Sequence, residues 1–145
     1  MLHLASHFVF KPGTETDSYL LLGDGGRLSL RDLREAGFNF RNIDLLTLSA
    51  CETAIGGGAD ANGREVEGLG ALAQQRGARA VMATLWPVAD ASTGLLMQHF
   101  YRLRVGAGGV SKAEALRQAQ LLLLRGQPYA HPFFWAPFIL MGNWL

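Results

Sequence analysis

Cys51 and His7 are the two side chains in this sequence best suited to act together in nucleophilic catalysis. The thiolate form of cysteine is the nucleophile, and a nearby imidazole generates it by taking the thiol proton. The two residues lie 44 positions apart, so separate structural elements must bring them together. A histidine and a cysteine in a chain of this size are more often packing residues, and the spacing alone does not decide between catalysis and a structural role.

Apolar runs in the sequence predict the strands that would position these two residues. Residues 2–10 are apolar apart from His and Ser, which indicates a strand buried on both faces, and residues 43–49 form the clearest buried strand. His7 lies near the end of the first strand, and Cys51 closely follows the second. Further strands are predicted at residues 18–22, 80–85 and 136–141, with a hairpin through Asp24-Gly25-Gly26 into Leu28.

Helical spacing and capping residues predict helices between these strands. The predicted helices are residues 30–36 capped by Ser29, residues 65–76, a helix capped by Asp90 or Ser92 that ends near Arg104, and one after Ser111, which has capping-box spacing with Glu114. Strands that alternate with helices imply crossover connections and a mostly parallel sheet, in which ligands gather beyond the carboxyl ends of the strands. His7 and Cys51 both lie at such ends, so the pattern favours a site there.

The composition predicts a compact α/β protein and disfavours several classes of partner. The chain has 145 residues, 49% hydrophobic and 17% charged, which excludes a disordered or coiled-coil chain. Its 13 basic and 12 acidic residues leave a net charge of +1, too small for binding to nucleic-acid phosphates or to an anionic membrane. No apolar run is long enough to span a bilayer. We therefore expect a soluble, cytoplasmic protein without a nucleic-acid or membrane partner.

The single cysteine limits the chemistry further. An intramolecular disulfide is impossible, and a cysteine-bearing zinc site would need most of its ligands from elsewhere. The run Gly56-Gly57-Gly58 lacks the Gly-Lys-Ser/Thr ending of a phosphate-binding loop. We expect no metal and no cofactor, which leaves packing or reactivity as the role of Cys51.

Six stretches, in order along essentially all 145 residues, closely resemble the CHAT domain. They are residues 2–8 (LHLASHF), 21–25 (LLGDG), 48–54 (LSACETA), 63–69 (GREVEGL), 85–90 (LWPVAD) and 131–138 (HPFFWAPF). CHAT domains are caspase-like modules related to separase-type cysteine peptidases, and they often follow tetratricopeptide repeats. The resemblance implies a caspase-like three-layer α/β sandwich on a mostly parallel sheet, a protein or peptide substrate, and a tetratricopeptide-repeat region or regulatory protein as partner.

The resemblance also implies a catalytic mechanism. Cys51 would be the nucleophile that attacks a peptide carbonyl, and His7 the general base that takes and later donates a proton before water hydrolyses the thioester. The oxyanion would be stabilised by the backbone amides of Cys51 and of the residue after the histidine. That residue is Phe8, where caspase-like enzymes have a glycine, so this role is less well supported.

Ser49, Trp86 and Asp90 are the candidate residues of the substrate pocket. In the caspase-like group the residue two before the cysteine helps to line the first specificity pocket, and a small, uncharged Ser49 implies no charge preference. Trp86 and Asp90 lie on the loop after the next strand and could complete the pocket. Asp90 would then favour a basic substrate side chain, or it simply caps a helix; both interpretations stay open.

The other three histidines have mainly structural interpretations. His3 shares a strand face with His7 because strand side chains alternate with period two, so an accessory role remains open beside core packing. His99 falls at core-like spacing on a helix. His131, directly before Pro132, is expected to cap or fix a turn.

Two functions remain open for this sequence. The first is a cysteine endopeptidase that a partner or an attached repeat domain regulates. The second is a catalytically silent caspase-like module that docks protein partners. Rapid alkylation of Cys51 that depends on His7 would favour the first.

The resemblance further implies strands and helices before the histidine-bearing strand, and only six residues precede His7. We therefore expect an N-terminally truncated CHAT domain whose first strand is an exposed, apolar sheet edge. Such an edge invites pairing with another chain. Self-association or low stability of the chain is the expected consequence.

Overall fold

The computed structural model describes residues 1–6, 8–9, 18–49, 70–106 and 109–145, which form two β-sheets and flanking helices. In chain order the elements are β1 (Leu2–Ala5), β2 (Phe8–Val9), β3 (Tyr19–Leu21), β4 (Arg27–Ser29), α1 (Leu30–Glu35), β5 (Leu46–Ser49), α2 (described over residues 70–75), β6 (Ala80–Thr84), α3 (Asp90–Val105), α4 (Lys112–Arg125) and β7 (Phe138–Gly142). A short 3-10 helix, Pro132–Phe134, precedes the last strand.

The larger sheet has the strand order β1-β5-β6-β7 and is mostly parallel. β1 pairs with β5 and β5 with β6 in parallel, whereas β7 runs antiparallel to β6. Parallel neighbours require crossover connections, and helices supply them here. The expected α/β fold with a mostly parallel sheet is confirmed.

Helices cover both faces of this sheet because its central strands are apolar on both sides. On one face Leu46, Leu48 and Val81 pack against Leu33 of α1 and Leu72 of α2. All five residues of β6 are buried. A strand buried on both faces has a continuous run of apolar residues, which explains why residues 80–85 could be recognised as a strand from the sequence.

The second face is covered by the antiparallel pair of helices α3 and α4. Phe100 is fully buried between them and the sheet, and burial of such a side chain contributes about 2–3 kcal/mol. Ala115 and Ala119 of α4 are also fully buried, and their small side chains let the two helices approach closely. The result is a three-layer arrangement with the sheet between two helical layers.

The first strand differs from its expectation in length and in burial. β1 ends at Ala5 rather than at Phe10, and Leu2 at its start is 36% exposed. After Ser6 the chain enters the second sheet, in which β2 pairs antiparallel with β3. The Ser6 hydroxyl donates a hydrogen bond to the Leu21 carbonyl, and this bond connects the end of β1 to β3. β1 lies at an edge of the larger sheet, as expected.

The second sheet contains the predicted hairpin, β3–β4, and leads directly into α1. Gly25 has a φ of +81°, a conformation that the tight turn requires and that glycine adopts without strain. Ser29 caps α1 as predicted: its hydroxyl accepts a hydrogen bond from the Asp32 amide at 3.0 Å, and the Asp32 carboxylate accepts one from the Ser29 amide. This reciprocal capping box defines the start of the helix.

The start of α3 corrects one expectation about capping. The N-cap residue is Ala89, which makes no side-chain cap, so neither Asp90 nor Ser92 caps the helix. Asp90 instead occupies the first turn, where its charge interacts favourably with the helix dipole. The Ser92 hydroxyl donates to the Ala89 carbonyl at 2.9 Å. By contrast, Ser111 does cap α4, since its hydroxyl accepts from the Glu114 amide.

Candidate functional site

β1 and β5 lead to the two residues that the sequence assigns to catalysis. The parallel pairing runs from Leu2 opposite Leu46 to Ala5 opposite Ser49, so each β1 residue pairs with the residue 44 positions later. Both strands therefore end at the same edge of the sheet. His7 and Cys51 lie outside the described residues, two positions beyond the last pair.

Tyr101 of α3 connects a helix to both of these strands. Its hydroxyl donates a hydrogen bond to the Thr47 hydroxyl at 2.9 Å, and Thr47 is only 1% exposed. The His3 ring, on the residue paired with Thr47, lies 5.7 Å from the Tyr101 ring between centroids. Phe100 packs edge-on against Tyr101 and is itself fully buried. This contact holds α3 against the β1–β5 pair, and no sequence signal had singled out Tyr101.

Burial changes the pKa values of both aromatic partners in this contact. Desolvation raises the pKa of Tyr101, and the hydrogen bond to Thr47 opposes that shift. Desolvation lowers the pKa of His3, since the charged imidazolium loses hydration. Burial thus favours the uncharged form of His3. Its partial packing against Tyr101 agrees with the structural interpretation of this histidine.

The candidates for the oxyanion site and the pocket lie on different elements. Phe8 opens β2, where it pairs with Leu20 in the second sheet, and Ser49 is the last residue of β5. Phe8 therefore belongs to the second sheet, whereas Ser49 belongs to the larger one. The amide of Cys51 lies outside the described part of the chain.

Trp86 is held by the segment that precedes the last strand. Its indole Nε1 donates to the Phe133 carbonyl at 3.0 Å, so the indole N–H already has an acceptor within the protein. Asp90 is exposed at the start of α3. Trp86 is therefore fixed in position, whereas the Asp90 carboxylate faces water.

His131 has the structural role that the sequence predicted, whereas His99 is less buried than its core-like spacing suggested. His131 caps the 3-10 helix, because its Nδ1 accepts a hydrogen bond from the Phe133 amide at 3.2 Å. His99 is half-buried on α3 beside α4. Over the described ranges, no cluster of three or more His, Cys, Asp or Glu side chains is placed to hold a metal ion.

The CHAT-domain family matches this sequence over residues 1–143. The chain belongs to the CHAT domain family. A mouse protein named tetratricopeptide repeat protein 28 is 30% identical over 115 residues, which cover 77% of this chain and 5% of the mouse protein. The human protein of the same name is 31% identical over 67 residues, which cover 46% of this chain and 3% of the human protein. This CHAT domain thus corresponds to a small part of the length of these relatives.

An apolar cavity of about 390 Å³ lies under the exposed edge of this CHAT domain. It is bounded by β1, β5, the β3–β4 hairpin, α1 and α2, and among the described residues of its lining only Arg76 is charged. Leu2, Leu22 and Phe38 line it and are each 36–40% exposed. The hydrophobic pattern predicted the apolar edge but not this cavity, because the walls of the cavity come from distant parts of the chain.

None of the helices in the described part of the chain combines the length and hydrophobicity that a membrane span requires.

Proposed function

We propose that this CHAT domain is a cysteine endopeptidase in which Cys51 is the nucleophile and His7 the general base. The Cys51 sulfur attacks the carbonyl carbon of a peptide bond, while His7 holds the thiol proton and then donates it to the leaving amine. The C–N bond breaks and a thioester forms. Water, deprotonated by His7, attacks the thioester and releases the carboxylate product and the thiol.

The offset of the β1–β5 pairing is the observation that supports this proposal. Paired residues differ by 44 positions, and His7 and Cys51 are also 44 positions apart. Residues opposite each other on adjacent strands are about 4.8 Å apart. Because Ala5 and Ser49 are paired neighbours and His7 and Cys51 each follow two positions later, the proposal brings the imidazole and the thiol together at this edge of the sheet.

The remaining roles form part of the same proposal. The backbone amides of Phe8 and Cys51 stabilise the oxyanion, and Ser49, Trp86 and Asp90 border the substrate pocket. Because the Trp86 N–H donates to the Phe133 carbonyl, Trp86 contributes its ring face to the substrate rather than a hydrogen-bond donor. The exposed Asp90 carboxylate attracts a basic substrate side chain at the pocket rim.

Regulation by another part of a longer protein is also proposed. The relatives are named for tetratricopeptide repeats, and the aligned residues occupy only 5% and 3% of their length. A repeat region or a separate regulatory protein would therefore control access to the Cys51–His7 dyad.

Alkylation of Cys51 with iodoacetamide over a range of pH tests the proposed activation. At pH 6 we expect labelling about tenfold faster than that of N-acetylcysteine, since only an activated thiol carries substantial thiolate there. In the variant His7→Ala, Cys51 should react at the same rate as N-acetylcysteine. Cys51→Ala, which has no cysteine, gives the background level of labelling. His131→Asn, which retains a side-chain acceptor for the Phe133 amide, provides the matched histidine control.

Each outcome of this experiment bears on the proposal. A rate advantage that His7→Ala removes and His131→Asn retains supports the dyad. Equal rates in wild type and His7→Ala would contradict it, and so would a wild-type pH profile identical to that of N-acetylcysteine. Cleavage of a random peptide library, analysed by mass spectrometry, then tests whether the activated cysteine is a peptidase nucleophile.

A silent interaction module is the second candidate function, and the exposed edge favours it. β1 pairs with β5 on one side only among the described strands, and Leu2 exposes apolar surface beside the cavity. An unpaired edge of this kind accepts a strand from another chain, here a second copy. We propose that the chain self-associates through β1.

Light scattering across a concentration series tests this second candidate. Leu2→Lys places a charge at the edge and should restore a monomer. Leu124→Lys adds the same charge on α4, at a position that is 42% exposed compared with 36% for Leu2, and should leave association unchanged. A wild-type monomer at every concentration, or equal effects of the two substitutions, would refute association through β1.

A further inference from the structure

Charge is unevenly distributed along this chain although the total is nearly neutral. Residues 91–145 contain five basic residues and one acidic residue, Glu114. This segment includes most of the α3–α4 layer and the last strand. Two of the basic residues, Arg104 and Lys112, contact Asp44. The other three, Arg102, Arg117 and Arg125, are exposed and give the outside of the helical layer a positive charge.

α4 has a second face that does not contact the sheet. Its buried residues are Ala115, Leu116, Ala119 and Leu123 together with Lys112. Gln118, Leu121, Leu122 and Arg125 follow a separate stripe at spacing i, i+3, i+4 and i+7, the pattern of a single helix face. Leu122 is 45% exposed. This stripe thus leaves apolar surface on the solvent side of the helix.

This stripe lines a groove of about 540 Å³, which we call the α4 groove and which is bounded by His99, Arg117, Gln118, Leu121, Leu122, Arg125 and Gly126. No carboxylate belongs to the lining among the residues that the structure describes. Arg117 is paired with Glu114 at 2.7 Å, but Arg125 makes no ion pair with any residue that the structure describes. The α4 groove thus combines exposed leucine with unneutralised positive charge.

We propose that the α4 groove binds an acidic amphipathic helix of a partner protein. Leucine side chains on the partner would cover Leu121 and Leu122, while a flanking Asp or Glu side chain would pair with Arg125. Among its described residues the groove has two leucines and no Phe, Tyr or Trp. Because single-stranded nucleic acids bind through base stacking on aromatic rings, the lining favours a peptide over a nucleic acid. This surface lies outside the residues assigned to peptide cleavage, so the inference is independent of that activity.

Selection from a displayed library of 16-residue peptides with randomised sequence tests the proposal without a known partner. Peptides that bind the full 145-residue chain should be enriched in Asp and Glu, with Leu recurring at spacing i, i+3 or i+4. The affinity of an enriched peptide is then measured by fluorescence anisotropy. Arg125→Glu and Leu122→Ser should each weaken binding about tenfold or more.

The matched control is Arg102→Glu, which makes the same charge change on α3 outside the α4 groove, and it should weaken binding less than about twofold. Circular dichroism of each variant confirms that its helices are retained. Failure to enrich acidic, leucine-containing peptides would overturn the proposal. It would also be overturned by equal losses in Arg125→Glu and Arg102→Glu. Tighter, Arg125-dependent binding of a single-stranded oligonucleotide would assign the groove to nucleic acid instead.

Discussion

Lys112 and Asp44 form an ion pair whose two members differ greatly in exposure. Lys112 is 1% exposed at the start of α4, and its Nζ lies 3.0 Å from Asp44 Oδ1. The Lys112 ammonium also donates to the Leu145 carbonyl. The Asp44 side chain is 40% exposed and has a second, longer contact of 3.5 Å with Arg104. Removal of the anion and removal of the cation should therefore have unequal effects on stability.

The substitution Asp44→Asn should lower the free energy of unfolding by about 2 kcal/mol. Loss of one partner from a fully buried pair costs about 3–5 kcal/mol, because an uncompensated charge stays buried. The exposure of Asp44 reduces this figure, since water already screens part of the interaction. The hydrogen bond from Lys112 to Leu145 persists and reduces it further.

The substitution Lys112→Met should cost only about 1 kcal/mol. It removes the buried charge itself and replaces the side chain with one of similar length, while the hydrated Asp44 carboxylate keeps its contact with Arg104. The main loss is the donor to the Leu145 carbonyl. The double variant should be about as stable as Lys112→Met, because removal of the carboxylate matters little once the buried ammonium is gone.

Urea unfolding at pH 7, followed by circular dichroism, measures these differences. A loss of 2 kcal/mol corresponds to a shift of roughly 1 M in the urea midpoint. Glu35→Gln, which breaks the exposed pair of Arg31 and Glu35, is the control and should leave the midpoint unchanged within error. If Lys112→Met costs as much as Asp44→Asn, or if the two substitutions add in the double variant, the reasoning is wrong.

Three further predictions concern pH, capping and backbone conformation. Hydrogen bonding to Arg117 lowers the pKa of Glu114 from 4.5 to about 2. The stabilising contribution of the Glu114 carboxylate should therefore be present above pH 4.5 and lost as the pH falls toward 2. NMR titration should show this low pKa for Glu114, and Arg117→Gln should raise the pKa. Ser29→Ala removes the capping box of α1 and should lower the free energy of unfolding by about 1 kcal/mol, measured by thermal or urea unfolding. An unchanged unfolding midpoint would show that the cap is dispensable. Gly77→Ala should lower the free energy of unfolding by more than about 1 kcal/mol, since Gly77 has a φ of +103° and a Cβ there would lie 2.9 Å from the backbone of a neighbouring loop. Gly94→Ala, on the open face of α3, should instead raise the free energy of unfolding by about 0.5–1 kcal/mol. A change of the same sign in both variants would contradict this account.

The sequence alone was sufficient for the elements whose signals are local. The run at residues 80–85, the hairpin through Gly25 and the Ser29 cap depend on hydrophobic pattern and turn chemistry within a few residues, and each is confirmed. The same holds for the role of His131, where the acceptor and the Phe133 amide are two residues apart. Membership of the CHAT domain family also followed from short motifs that the sequence displays directly.

Predictions that depend on which other elements a strand or helix contacts were less successful. Residues 2–10 look like one buried strand, but β1 lies at an edge and the chain changes sheet after Ser6, since β3 offers pairing partners for Phe8 and Val9. An apolar run cannot reveal which strand it will pair with. Capping of α3 by Asp90 or Ser92 failed for a related reason, because Ala89 takes the cap position and neither side chain can then accept from the first turn.

The sequence by itself determined the family, the α/β class and the pair of residues proposed for catalysis, because these depend on residue types and on their order. Only the tertiary structure determined the offset of 44 positions between β1 and β5, the Tyr101–Thr47 hydrogen bond that holds α3 to them, and the unneutralised stripe on α4. These features join residues that are far apart in the chain. Strand pairing and helix packing set their geometry through contacts that leave no local pattern in the sequence.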